Sequence, residues 1–294
     1  MPPSEHTESD DETGPGGDLF AEPEGYYPPS PKPTKQTFTT RDGDVVDLHL
    51  VGYSPTEAHH LWNGSRVAAQ YFEADPAATV RGRNVLELGA GAGLPSLVAA
   101  ALGARRVVMT DFPDADILAT MEKNIAECRI IPPAAAAGEG GAGDDAAAPR
   151  TKADVIVAKG FVWGFDARPL LAELPASRPR FDVLVLADLL FRHSEHGKLL
   201  DTVRDTMAPG PDARAYVFFT SYRPWLAHKD MAFFDLARRR GFAVDKILER
   251  KMDRPLFEDD PGDEEVRKTC TGWVLRWPRE GEGKLDGEEG GLRA

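Results

Sequence analysis

The chain contains only two cysteines in 294 residues, Cys128 and Cys270, and they lie far apart in the sequence. Secreted disulfide frameworks use several cysteines in a short chain, so we expect two reduced, buried thiols here. No run of about 18 apolar residues occurs, which argues against a transmembrane helix. The first residues, MPPSEHTESDDETGPGGD, lack the basic start and the apolar stretch of a signal peptide. We therefore expect a cytoplasmic protein that does not bind membranes.

Basic residues are fewer than acidic ones, with 35 lysines and arginines against 48 aspartates and glutamates. The net charge is −13, and residues 1–24 hold eight acids with no lysine or arginine, which leaves the rest of the chain at about −5. Binding through nucleic-acid phosphates needs a basic face, so no direct nucleic-acid partner is expected. A basic protein partner is compatible with this charge, although an acidic surface is more often simply solvated.

Composition separates one ordered domain from its flanking segments. Residues 1–18 are expected to form a disordered acidic tail, and residues 278–294 a disordered tail rich in glutamate and glycine. Between them, residues 19–277 form the predicted single domain, which begins with an extended proline-rich arm over 19–33. The alanine- and glycine-rich segment 132–150 cannot build a packed core, and we interpret it as a flexible surface insertion.

The order of predicted elements indicates an α/β fold. The run FTTRDGDVVDLHLVG predicts a hairpin around the Asp42-Gly43 turn, and HHLWNGSRVAAQYFEADP predicts a helix. Strands and helices then alternate, and the nearly continuous apolar strands are typical of a mostly parallel sheet covered on both faces. The last two of the seven strands, AVDKILER and CTGWVLRW, have no helix between them. We expect them to pair as an antiparallel hairpin at the C-terminal edge.

A glycine loop follows the first of these apolar strands. In VLELGAGAGLPS the loop leads into a helix, and RVVMTD then ends the second strand with an acid. In such sheets the ligand lies beyond the carboxyl ends of the strands. Gly89 and Gly91 let the backbone approach a cofactor closely, and Asp111 can accept hydrogen bonds from ribose hydroxyls. This arrangement suits both a nicotinamide dinucleotide and S-adenosylmethionine (SAM).

The glycine spacing favours SAM. The dinucleotide fingerprint G-x-G-x-x-G needs a glycine five residues after Gly89, where this chain has Leu94. SAM carries no pyrophosphate, so it does not need a helix N-terminus aimed at phosphates. Glu87, two residues before the loop, would lie near the cationic end of SAM or orient the loop. A glycine turn without a ligand is the plainer alternative, and a nicotinamide oxidoreductase is the least favoured one.

Several segments resemble a known family. LELGAGAGLPS, VVMTDFPD and VLADLLFRHSEH are similar to the seven-β-strand protein methyltransferases of the nicotinamide-N-methyltransferase-like group. The segments LFAEPEGYYPPSPKPT, LVGYSPTEAHHLWNGSRVAAQYFE, GFVWG, FFTSYRPWL and FEDDPGDEEVRKTCTGWVL further resemble its fungal-type members that methylate translation elongation factor 1-alpha. The resemblance covers about residues 19–277, apart from 132–150.

This resemblance implies a class I, Rossmann-like methyltransferase fold with SAM as the cofactor. It also implies that the substrate is elongation factor 1-alpha, methylated at its N-terminal glycine and a nearby lysine. We expect the enzyme to be a monomer.

The resemblance also implies the SAM contacts. They fall on Trp62, Gly89, Ala90, Gly91, Asp111, Trp163 and Ala187. Trp163 can pack on adenine and Trp62 can close the pocket near the methyl donor, with core packing as the alternative for both. Phe112 is a further candidate for the adenine wall. Relatives often carry D-x-x-Y after the fourth strand, and Phe191 stands here in place of that tyrosine, which weakens any role for a hydroxyl.

Asp188, at the end of the fourth strand, is the catalytic candidate. An amine must be neutral to attack a methyl group, and Asp188 can orient the amine or accept its proton. A structural acid that caps the next helix is the alternative. Three residues of SYRPWL, namely Tyr222, Arg223 and Trp225, are candidate substrate contacts, because substrate loops lie after the fifth strand; packing is a comparable explanation.

Two charged segments have plainer explanations. His193 and His196 are three residues apart, which is weak support for zinc without a third ligand, so no metal is expected. The acidic segment over residues 258–265, with six acids, is by default a solvated loop. Docking of a lysine-rich substrate tail is the sharper hypothesis for it.

Other functions stay open on the sequence alone. A small-molecule, nicotinamide-like N-methyltransferase needs a closed pocket, whereas a protein substrate needs an open channel at the carboxyl edge of the sheet. The enzyme could also methylate a lysine of another protein. A protein that binds SAM without catalysis would show no turnover.

Overall fold

The computed structural model describes residues 31–131, 151–279 and 282. The predicted acidic tail, the insertion 132–150 and most of the arm and of the C-terminal tail lie outside these residues. The described part contains nine strands: β1 (Thr34–Thr39), β2 (Val45–Leu50), β3 (Asn84–Leu88), β4 (Arg106–Asp111), β5 (Ile156–Gly160), β6 (Val183–Ala187), β7 (Arg214–Thr220), β8 (Ala243–Lys251) and β9 (Thr269–Arg276).

The helices of the described part alternate with these strands. They are α1 (Asn63–Ala74), α2 (Pro76–Thr79), α3 (Leu94–Ala101), α4 (Ala115–Glu127), α5 (Lys152–Val155), α6 (Arg168–Leu171), α7 (His196–Thr206), α8 (Ala227–Arg239) and α9 (Glu264–Arg267). Single 3₁₀ turns, His193–Glu195 and Pro224–Leu226, precede α7 and α8. Within these segments, no helix has the length and apolar character that crossing a membrane requires.

Seven strands form one sheet in the order β5-β4-β3-β6-β7-β9-β8. The first five are parallel, and β9 runs antiparallel to both β7 and β8. Every residue of β3 and β6 is buried, because these central strands are covered on both faces. The predicted fold class, including the C-terminal antiparallel hairpin, is confirmed. The last strand, β9, lies inside the sheet, and β8 forms the edge.

Four one-turn helices, α2, α5, α6 and α9, were not predicted from the sequence. Each has four residues, which is too few to show an apolar repeat of 3.6 residues. Local capping occurs in three of them: Asp75 accepts a hydrogen bond from the Ala78 amide in α2, Asp154 accepts one from the Thr151 amide in α5, and Asp263 accepts one from the Glu265 amide in α9.

The predicted N-terminal hairpin is confirmed, with β1 paired antiparallel to β2. Asn124 of α4 attaches this hairpin to the domain. Its Oδ1 accepts the His49 amide at 2.8 Å, and its Nδ2 donates to the carbonyl oxygens of His49 and Ala92, both at 3.0 Å. Asn124 is fully buried, so these bonds replace hydration that the side chain has lost. Since Ala92 belongs to the glycine loop, one side chain couples the hairpin to that loop.

Replacing Asn124 with alanine should therefore destabilise the protein. The change leaves the buried Ala92 carbonyl and the partly buried amide and carbonyl of His49 without their partner, and we expect the free energy of unfolding to fall by about 3 kcal/mol. Urea denaturation followed by circular dichroism measures this. Lys123→Ala, at the exposed neighbouring position, is the control and should change stability by less than about 0.5 kcal/mol. Equal stabilities of the two variants would contradict the role of Asn124.

Candidate active site

The glycine loop between β3 and α3 follows a path that side chains would obstruct. Gly89 and Gly93 have φ values of +63° and +78°. A Cβ at Gly89 would lie 2.5 Å from Cδ2 of Leu189, and a Cβ at Gly93 would lie 2.2 Å from Sδ of Met109. Glycine is required at both positions for conformation and for space. The loop backbone therefore lies directly on its neighbours at the carboxyl end of the sheet.

Glu87 lies beneath this loop. Its Oε2 accepts hydrogen bonds from the Ser96 amide at 3.0 Å and from the Ser96 hydroxyl, in the first turn of α3. Burial raises the pKa of Glu87 to about 8, against the opposing effect of the Ser96 bonds. Glu87 does not line the adjoining cavity. Of its two predicted roles, the geometry favours orientation of the loop over contact with a cofactor.

Asp111 ends β4 and connects it to the glycine loop. Its Oδ2 accepts the Gly91 amide and its Oδ1 the Phe112 amide, both at 2.7 Å. Burial is the largest influence on the Asp111 carboxyl and raises its pKa, while the two amides act in the opposite direction. Each carboxylate oxygen keeps a second lone pair, so Asp111 can also accept a hydroxyl hydrogen bond from the cavity that it lines.

A cavity of about 400 Å³ lies beside this loop and beyond the strand ends. Its size is within the range of small-molecule and cofactor sites. Every predicted cofactor residue except Glu87 lines it, namely Trp62, Gly89, Ala90, Gly91, Asp111, Phe112, Trp163 and Ala187. Phe112 is 50% exposed, which gives the cavity an uncovered aromatic wall for a flat heterocycle.

The loop before α1 covers the other side of this cavity. Two hydrogen bonds hold it: Nη2 of Arg192 donates to the Pro55 carbonyl at 2.8 Å, and Nε1 of Trp62 donates to the Glu57 carbonyl at 3.0 Å. Trp62 stacks on Phe191, with ring centroids 6.2 Å apart. The phenylalanine that replaces the usual tyrosine thus supports the loop by ring contact rather than through a hydroxyl.

Asp188 connects three elements of the site. It follows β6 directly, with a left-handed φ of +55°. Its Oδ2 accepts the Gly64 amide of α1 at 2.5 Å, and its Oδ1 accepts the Thr220 amide of β7 at 2.8 Å. Burial raises the pKa of Asp188 to about 7, nearby Asp230 acts in the same direction, and the two amides oppose them.

A second cavity, of about 500 Å³, adjoins the first. Both are bordered by Glu57, His60, Trp62, Asp188 and Phe191. The predicted substrate residues Tyr222 and Arg223 line the second cavity. Trp225 lines neither cavity; it is 53% exposed, and its ring lies close to Gly262 in the β8–β9 connection.

Sequence reasoning did not single out Phe257 and Asp230 of the second cavity, whereas Asp260 belongs to the acidic segment for which docking was predicted. Phe257 packs on Trp62 and Tyr222, with ring centroids 5.6 and 5.8 Å apart. Phe257 directly precedes the acidic segment. An aromatic residue beside six acids was the sequence feature that could have indicated its place in the site. Asp230 lies in the amphipathic helix α8. The sequence of such a helix does not show whether a single acid is buried or exposed.

The two histidines of HSEH have different partners. Nε2 of His193 lies 2.7 Å from Oδ1 of Asp230, and Nε2 of His196 lies 2.8 Å from the carbonyl oxygen of Leu190. Each imidazole is thus used in a separate hydrogen bond, as expected for polar residues at a helix start.

Comparison with known proteins identifies the family. A profile described as lysine methyltransferase matches residues 53–240, which is more than half of the chain. The chain belongs to this lysine methyltransferase family. It is 56% identical to a Neurospora crassa protein over 90% of each chain, and 53% identical to one from Gibberella zeae over 90% of this chain and 96% of the other. A Schizosaccharomyces pombe relative is 39% identical over 90% and 96%. All three are named protein N-terminal and lysine N-methyltransferase.

The chain is a SAM-dependent protein methyltransferase, and its first cavity fits that cofactor. A carboxylate at Asp111 suits the ribose, and the Phe112 and Trp163 rings suit adenine. The family membership confirms the choice of SAM over a nicotinamide cofactor. The role of each lining residue stays a prediction.

Gly64→Ala tests the Asp188 arrangement. A Cβ there would lie 2.5 Å from Oδ2 of Asp188 and 2.7 Å from the Phe218 carbonyl, so we expect a loss of about 2–3 kcal/mol in unfolding free energy. Gly197→Ala is the matched control, since Gly197 is also in a first helical turn but faces only the flexible end of Arg240. The control should be neutral or gain up to about 1 kcal/mol. Similar effects of both changes would contradict the constraint.

Glu87→Gln should alter the pH dependence of stability. With a folded-state pKa of about 8, above the unfolded value near 4.5, Glu87 holds its proton more tightly in the folded protein. This contribution is complete below about pH 4.5 and is lost as pH rises through 8. The decline in unfolding free energy between pH 5 and 8 should therefore be shallower in Glu87→Gln than in wild type. The exposed Glu122→Gln change should leave the slope as it is; identical slopes for all three proteins would contradict this.

Proposed function

We propose that the enzyme methylates the N-terminal glycine and a nearby lysine of translation elongation factor 1-alpha, in the cytoplasm and as a monomer. The relatives are named for methylation of a protein N-terminus and of lysine, which supports both proposed acceptor amines. The substrate protein is supported by the resemblance of the proline-rich arm and of the segments around Trp62 and Phe257 to enzymes with that substrate.

The observation that carries the proposal is the meeting of two cavities at Asp188. The first has the size and lining of a cofactor site. The second has exposed residues in its wall, Arg223 and Asp260, so it reaches the surface. A chain end or a lysine side chain can enter such a channel while the rest of the substrate stays outside, whereas a free small molecule would be better held in a closed pocket.

The residues divide the task between them. When bound, SAM supplies a methyl group already activated by its sulfonium, so the protein mainly positions the acceptor and excludes water. Asp111 would hold the ribose end of SAM, and the stacked rings of Trp62 and Phe191 border both cavities. Asp188 borders both cavities and orients the incoming amine. The rings of Trp62, Tyr222 and Phe257 pack against one another and form an aromatic wall around the acceptor.

The acidic segment contributes charge to the channel entrance. Within it Glu258 pairs with Arg254, while Glu264 and Glu265 pair with Lys268. These ion pairs neutralise much of the six-acid run. Asp260 lies on the second cavity, where it can attract a basic substrate. Docking of a lysine-rich tail therefore depends more on Asp260 than on the glutamates.

Methylation of the purified substrate tests the function. Elongation factor 1-alpha incubated with enzyme and SAM should gain methyl groups by intact-mass analysis, and peptide mapping should place them at the N-terminal glycine and one nearby lysine. Substrate with an acetylated N-terminus is the control, because a blocked amine should gain methyl groups only at the lysine. A gain elsewhere would keep the methyltransferase activity and contradict the proposed substrate.

A further inference from the structure

Asp230 is a buried carboxylate outside the cofactor cavity. It lies in the first turn of α8, is 5% exposed and lines the second cavity. Nε2 of His193 lies 2.7 Å from its Oδ1, and the Ser221 hydroxyl donates to its Oδ2 at 2.8 Å. Both oxygens are thereby fixed at the wall of the channel through which the acceptor amine would enter.

The Asp230–His193 pair extends from this wall toward solvent. The Asp230 side chain is 8% exposed and that of His193 is 24% exposed. Imidazole is the side chain best suited to gain and lose protons near neutral pH. One hydrogen bond therefore links the cavity wall to a group that can exchange a proton with water.

The hydrogen-bond partners of Asp188 differ from those of Asp230. The two oxygens of Asp188 accept the backbone amides of Gly64 and Thr220, and protonation would weaken bonds that hold α1 and β7 to β6. The partners of Asp230 are a hydroxyl, which can rotate, and an imidazole, which can change tautomer. Protonation of Asp230 can therefore be accommodated without a loss of backbone bonds.

The surroundings of Asp230 favour a cation in the second cavity. Asp230 interacts electrostatically with two nearby ionisable groups, Asp188 and His196. The remaining ionisable groups of the cavity wall are Glu57, His60, Tyr222, Arg223 and Asp260. Four carboxyl groups thus border the cavity, with one guanidinium. The rings of Trp62 and Phe257 add faces that attract cations.

We propose that Asp230 is the counter-ion of the substrate ammonium group and takes its proton, and that His193 passes this proton to solvent. The proposal rests on the proposed function, since it requires an amine acceptor. It assigns to the second cavity a ligand class, primary and partly methylated ammonium groups.

Proton transfer from the substrate ammonium group precedes methyl transfer. The ammonium group gives one proton to Asp230, and the proton moves along the 2.7 Å bond to Nε2 of His193 in its neutral Nδ1–H form. The imidazolium then releases its Nδ1 proton to water, which leaves the Nε2–H form, and proton exchange with water restores the Nδ1–H form before the next methyl transfer. The neutral nitrogen forms its bond to the methyl carbon as the S–C bond breaks, which leaves a thioether and a methylated ammonium group. One proton leaves per methyl group, so the path is needed again in each round.

Peptide binding tests the counter-ion without any methyl transfer. A fluorescent N-terminal peptide of elongation factor 1-alpha, titrated with enzyme free of cofactor, should bind at least about tenfold more weakly to Asp230→Asn, because the carboxylate charge is lost. His228→Gln, an exposed change two residues away on α8, should bind like wild type. Wild-type affinity in Asp230→Asn would overturn the proposal.

The rate of methylation tests the proton path. His193→Ala should be slower by about 10- to 100-fold at pH 7, and the deficit should shrink toward pH 9, where more of the amine is neutral unaided. Added imidazole should restore part of the rate at pH 7, which a merely structural loss would not allow. His228→Ala is the control and should keep the wild-type profile.

The outcomes separate the two proposals. No methylation of the peptide by wild type would contradict the proposed function itself. Wild-type methylation together with an unchanged rate in His193→Ala at pH 7 would overturn the proton path alone. The His193→Ala measurement decides this even where Asp230→Asn does not fold.

Discussion

The site depends on one carboxylate that binds two backbone amides. Asp188 receives the amide of Gly64 from α1 and that of Thr220 from β7, while its own backbone adopts a left-handed conformation after β6. A buried carboxylate is costly to desolvate, and these two bonds offset part of that cost. The helix that follows the covering loop is thereby fixed to the ends of two central strands. Asp188, where these three elements meet, lines both cavities.

Buried carboxylates also hold the glycine loop, on the other side of the first cavity. Glu87 and Asp111 each bind backbone or hydroxyl groups of the loop and the following helix, so the loop is fixed before any ligand is present. Pre-organisation of this kind lowers the entropic cost of binding a cofactor. The acids around the cofactor cavity therefore serve first to shape the backbone, and Asp111 retains lone pairs for a ligand.

The central sheet and the lining of the first cavity were accessible to sequence reasoning, whereas the second cavity was accessible only in part, through Tyr222, Arg223 and the acidic segment. The strand NVLEL, the loop glycines and Asp111 are contiguous or regularly spaced, and parallel strands bring their carboxyl ends to one edge. The second cavity joins the loop before α1, the start of α8 and the β8–β9 connection. No local sequence pattern indicates that Asp230 and Phe257 line the same cavity, because contacts between distant segments depend on tertiary packing. Glu87 was identified from its position two residues before Gly89. That position does not show whether the side chain faces the cofactor cavity, and in the structure it does not line it.

Taken together, the buried acids divide into two kinds according to their partners. Glu87, Asp111 and Asp188 accept hydrogen bonds from main-chain amides and thereby hold the backbone in place. Asp230 binds only side chains, a histidine and a serine, which can rearrange when its charge changes. A reaction that releases a proton in each cycle needs an acceptor whose protonation leaves the framework intact. This difference in hydrogen-bond partners, more than depth of burial, assigns the proton to Asp230 and the framework to Asp188.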